Sequence, residues 1–137
     1  MDARQAIDRL CRDLGVPPGD AWTQDWAFEM PAAYRSEAWF DRYLEAFQRA
    51  DYGWWEREEL LDLIFDIVEQ ALRENRGAGQ VFWHRALTAT GPYLMDHRER
   101  IEYWACLDYT IEELGNAFAL TPFVRHLLGD LDADTAH

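Results

Sequence analysis

Between Trp54 and Arg73 the apolar positions fall at helical spacing. At about 100° per residue, Leu60, Leu61, Leu63, Ile64, Phe65, Ile67, Val68, Ala71 and Leu72 sweep a broad arc. Glu59, Asp62, Asp66 and Glu69 line the narrow opposite edge, and Trp55 projects onto the same edge. The pattern predicts one long helix with an exposed acidic ridge, answered only by Arg73 one turn on. Arg73 and Arg76 suit its C-terminal dipole, and Gly77-Ala78-Gly79 closes it.

The flanking sequence follows the same period in shorter pieces. Ile7, Leu10, Cys11 and Leu14 predict a one-sided helix over 2–14, stopped by Gly15-Val16-Pro17-Pro18-Gly19. Trp22, Trp26 and Met30 fit either a brief helix capped by Asp20 or an ordered loop, bounded by Pro31. A second long helix is predicted over 32–50, presenting Trp39, Phe40, Tyr43, Leu44 and Phe47. After the acidic-edged helix comes a shorter one over 80–90, stopped by Gly91-Pro92. Asp96 with Glu99, then Thr110 with Glu113, have the spacing of capping boxes. Thr121-Pro122 reads as a cap and a first-turn proline before Phe123 to Leu128. The sum is an all-α domain of six or seven helices over 1–129, a compact bundle or a short stack of antiparallel hairpins. No fixed-period repeat accompanies it, and 130–137 reads as a frayed acidic tail.

Composition sharpens this. A chain of 137 residues with seven Trp, seven Phe and six Tyr can fill one core without a disulfide or metal. The formal charge of −13 repels phosphate backbones and anionic membrane surfaces, so neither nucleic acid nor membrane is an expected partner. A basic protein is the complement, because opposite charge steers encounter. All thirteen basic residues are arginine, which reads more as a coding bias than as a choice of forked donors. Cys11 and Cys106 lack metal or redox spacing and read as two buried thiols in a reducing compartment. No secretory signal or membrane span is legible, which points to the cytoplasm.

Catalytic signatures are absent. No Glu-x-x-His pair of the kind helical di-iron sites require is present, no calcium loop occurs, and no nucleophile elbow, phosphate loop or zincin motif is present. No cofactor or metal is therefore expected. Trp39, Trp83 and Trp104 sit among apolar neighbours as core, Trp22 and Trp26 fit core or surface, and Trp54 falls on the apolar arc. Trp55 with Glu59, Asp62, Asp66 and Glu69 is left as the candidate partner-binding face, since a ring can accept a cation while carboxylates satisfy its charge.

The order Gly91-Pro92, His97, Ile101, Ala105 and Thr121-Pro122-Phe123-Val124-Arg125-His126-Leu127 resembles small helical bacterial domains with a Gly-Pro, His and Pro-x-x-Arg-x-x-Leu succession. Small acidic single-domain chains of this character also resemble immunity proteins of polymorphic-toxin and contact-inhibition systems. That resemblance implies a non-catalytic inhibitor that occludes a basic cognate toxin. Two alternatives stand beside it: a homodimer that hides Trp55 in a symmetric interface, and a small enzyme with a His/carboxylate site.

Overall fold

The computed structural model describes residues 1–19, 25–110 and 112–135. They form an all-helical bundle of six α-helices: α1 (Ala3–Leu14), α2 (Glu37–Phe47), α3 (Trp54–Glu74), α4 (Arg76–Thr90), α5 (Arg98–Ala105) and α6 (Thr121–Thr135). Three 3-10 segments join them, at Ala32–Tyr34, Gly91–His97 and Glu113–Asn116.

Local chemistry sets most boundaries. Asp2 accepts from the Gln5 amide at 2.8 Å while the Gln5 side chain accepts from the Asp2 amide at 2.9 Å, a reciprocal cap that opens α1. Gly15 then ends it in the left-handed region at φ 73°. The predicted 32–50 helix is shorter because Ser36 caps α2 and leaves 32–34 as a separate turn. The α3–α4 junction is tighter than the glycines suggested. Asn75 ends α3 and its side chain caps Ala78, so Gly77 and Gly79 lie inside α4 rather than closing α3. At Gly79 a Cβ would come within 2.5 Å of the Leu72 Cα, so only glycine permits this approach of the two helices.

Nearer the C-terminus, Asp96 caps nothing, and α5 begins at Arg98 without a side-chain cap. Thr110 and Glu113 do bond reciprocally, but they open a 3-10 turn. Thr121 turns its hydroxyl to the Trp104 carbonyl, 2.8 Å away, tying α6 to α5. Helix α6 runs through Gly129 to Thr135, so most of the expected frayed tail is helical. Asp20 and Trp22 lie outside the described residues.

The bundle is organised around α3, with α1, α2 and α4 packed on it and α5 paired with α6. Leu60, Leu61, Leu63, Ile64 and Phe65 are fully buried, each stabilising the fold by about 1.5–3 kcal/mol. Trp26, Trp83 and Trp104 are core, whereas Trp39 is half-buried against it. Cys106 is buried and Cys11 half-buried, and both are free thiols. No helix among the described residues is long and apolar enough to cross a membrane.

Forked donors hold the joints. Arg57 bonds the Phe47 and Arg49 carbonyls at 2.9 and 2.7 Å, and Arg125 bonds the Ala105 and Cys106 carbonyls at 2.7 Å each. A lysine, as a point charge, could not span either pair of acceptors in this way. Whatever coding bias supplied the arginines, the fold uses their geometry.

Candidate functional site

The acidic edge of α3 is not the exposed ridge that its periodicity predicts. Glu59, Asp62 and Glu69 are buried, as are Glu56 and Glu58, and Asp66 is only partly open. Arginines and backbone donors from distant segments close over the row. Asp66 pairs with Arg35 Nη1 at 2.7 Å. Asp62 takes Arg100 Nη1 at 3.0 Å and the Trp104 indole N–H at 3.2 Å. Glu69 is bonded by Arg73 and accepts from the Ala119 and Leu120 amides at 3.0 and 2.7 Å, anchoring the entry to α6. Arg73 is therefore one of several cations that answer this edge. Periodicity on one helix records which residues share an edge, and here the Arg35 turn, α5 and the 118–120 segment happen to cover it.

Glu59 is the exception within the row. Its side chain makes no hydrogen bond among the described residues, and burial, reinforced by Asp62, pushes its carboxyl up to about 7. Burial likewise raises Asp62 to about 6, although Arg100 and the Trp104 N–H pull the other way. Burial also raises Asp66 against the pull of Arg35. Two adjacent buried carboxyls thus resist ionising together near neutrality.

One turn before that row, Trp55 is exposed as expected, at 38%. Trp54 is exposed too, at 45%, although its helical angle assigned it to the core. Its indole N–H donates to the Asp96 carbonyl at 2.7 Å, and its ring stacks on His97 with centroids 5.4 Å apart. His97 is buried and meets Glu58 through Nδ1 at 2.7 Å, while Arg100 holds the other Glu58 oxygen at 2.9 Å. Burial works against the Glu58 charge, but these two bonds outweigh it and keep its carboxyl below the usual range. The carboxylate fixes the imidazole in a carboxylate–histidine pair, an arrangement able to orient a general base. Among the described residues no group of three or more His, Cys, Asp or Glu could hold a metal ion.

Exposed apolar surface gathers elsewhere, around α5. Tyr103 is 50% exposed and lines three adjoining clefts of about 830, 550 and 410 Å³. The first is shared with Phe28, Arg35, Asp66, Glu69, Arg73 and Phe118, the second with Trp54, Glu58, Met95, His97 and Arg100, and the third with Leu107 and Tyr109. Among the described residues Asp25, Glu29, Asp96, Glu99, Glu102 and Asp108 stand around these clefts, with the paired Glu58, Asp66 and Glu69 at their walls, against Arg35, Arg73, Arg98 and Arg100. The result is a face with exposed rings and thioether, and carboxylates in clear excess.

Sequence reasoning missed Tyr103, Phe28 and Met95. Tyr103 sits beside Trp104 in an amphipathic helix, and no local signal distinguishes its exposed ring from a core ring. Residues behind the family-like C-terminal order have structural partners: His97 on Glu58, and Arg125 on the end of α5. Compared with known proteins, the chain matches no family model, no curated protein and no solved structure.

Proposed function

We propose that this protein is a non-catalytic binding module of the immunity-protein kind, which engages a basic protein domain through the Tyr103 face and occludes it. The observation that carries the reading is the coincidence of exposed Trp54, Met95, Tyr103 and Leu107 with a surplus of carboxylates. Large rings next to charge are the residues that dominate interfaces, and an acidic field raises the encounter rate with a cationic partner. Of the residues first expected to bind, Trp55 adjoins this face through its edge-to-face contact with Trp54, and Asp66 and Glu69 line its largest cleft. Glu59 and Asp62 belong beneath it, as support.

The test is a binding assay between the purified chain and the product of the neighbouring gene, at low and high salt. Trp54→Ala combined with Glu99→Arg should abolish the complex, and high salt should weaken it. A complex indifferent to both changes would refute this assignment of the face, and a defined dimer that buries Trp54 in sedimentation would favour self-association instead.

A second reading rests on the Glu58–His97 pair bordering the 550 Å³ cleft, an arrangement an acid–base enzyme could use. Turnover of any substrate that His97→Gln abolishes, in a variant that still melts cooperatively, would support that reading over the first.

A further inference from the structure

The 830 Å³ cleft beside Tyr103 has a more specific chemistry than its charge alone. Its aromatic wall is preformed: Phe118 packs on the buried Trp104 ring at 4.5 Å, and Tyr103 lies 5.7 Å from Phe118 and edge-on to Trp104. Phe28 reaches the same Trp104 ring at 5.9 Å and remains 37% exposed. Asp66 borders this wall with one oxygen committed to Arg35. Among the described residues its Oδ1 has no hydrogen-bond partner, and the side chain keeps 22% of its surface exposed where it lines the cleft. Arg35 cannot swing across to take it, because its remaining nitrogens are held by the Met30 and Ala27 carbonyls at 2.6 and 2.9 Å.

We propose that this cleft receives one arginine side chain of the partner, its guanidinium stacked on the Tyr103–Phe118 wall and donating to Asp66 Oδ1. The assignment rests on the proposed reading that the protein binds a basic partner. Its volume of about 830 Å³ accommodates such a side chain with adjoining backbone. Arg73 does not oppose entry as a free charge, since it is paired with Glu69, and the exposed Asp25 leaves the cleft attractive to a cation. Arginine is selected over lysine because a planar, weakly hydrated guanidinium stacks on rings while it hydrogen-bonds, whereas an ammonium keeps its water. The same stacking already occurs inside the molecule, with Arg42 4.1 Å over Trp39 and Arg57 4.1 Å over Tyr93.

Titration calorimetry of the full chain with hexa-arginine and hexa-lysine peptides tests this. The arginine peptide should bind about tenfold more tightly, and Tyr103→Ala and Asp66→Asn should each weaken it about tenfold, while Glu45→Gln, which lines none of the three clefts around Tyr103, should change nothing. Asp66→Asn loosens the Arg35 turn, so Tyr103→Ala, which removes a half-exposed ring and no hydrogen bond among the described residues, is the deciding variant once its cooperative thermal melt is verified. Equal affinity for both peptides, no binding of either, or indifference to Tyr103→Ala overturns the proposal. If the partner protein still binds when Tyr103 is alanine but fails when Trp54 is alanine, the arginine site is wrong and the broader binding reading stands.

Discussion

Two acidic regions of this molecule carry similar charge and meet opposite fates. The row on α3 is largely closed over: Asp62 and Glu69 are buried with their donors, Glu69 with an arginine and two backbone amides, while Glu59 is buried without one and Asp66 stays partly open. The face around α5 is left open, with Asp96, Glu99 and Asp108 exposed among Met95, Tyr103 and Leu107. Charge density alone therefore says little about availability. What decides is whether neighbouring segments bring donors to both oxygens: Glu69, so answered and buried, is part of the fold, whereas Asp66 keeps one oxygen for another molecule.

The sharpest way to break the comparison is Glu69→Ala, which orphans two amides at the start of α6 and should cost about 3 kcal/mol in urea denaturation. Next is Arg100→Met, which strips Glu58 and Asp62 of their shared cation and should cost about 2 kcal/mol at pH 8. That loss should shrink near pH 5.5, where Asp62 holds a proton. Glu59→Gln should act in the opposite direction, stabilising by about 1 kcal/mol at pH 8 and raising the melting temperature by a few degrees, because it removes an ionisation the site resists.

The same shifts set the pH profile. The folded-state pKa values of Glu59 and Asp62 lie above those of the unfolded chain, so between about pH 5 and 8 the folded state binds more protons. Stability should fall as pH rises through that window. Below it, protonation of Glu58, held low by His97 and Arg100, should destabilise again, giving a maximum in melting temperature near pH 5. A profile rising steadily from pH 5 to 8 would contradict this account. Smallest of all, Glu99→Gln and Met95→Ala on the open face should leave stability within about 0.5 kcal/mol. Their effects belong to partner affinity, measured by titration.

Some of this was legible in the chain and some was not. The period of α3, the Gly15 stop and the Thr110–Glu113 bonding follow from local rules, and each is where those rules put it. At the α3–α4 junction Gly77 and Gly79 have the look of a stop signal, whereas Gly79 is required by the Leu72 backbone beside it. Asp96 with Glu99 has capping spacing, but the Asp96 carbonyl is taken by Trp54, a contact between residues far apart in sequence. The angle of one helix alone turns Trp54 inward. Its exposure follows from where the Gly91–His97 turn lies.

By itself, the sequence determined the helical class, the long central helix and the composition of its acidic edge, because hydrogen-bond period and side-chain spacing are properties of neighbours along the chain. Only the tertiary structure decided that Glu59, Asp62 and Glu69 face inward while Tyr103 and Trp54 face out. Burial is created by whatever packs against a surface, and the residues that cover α3, Arg35, Arg100, Trp104 and Leu120, come from segments about thirty to fifty positions away.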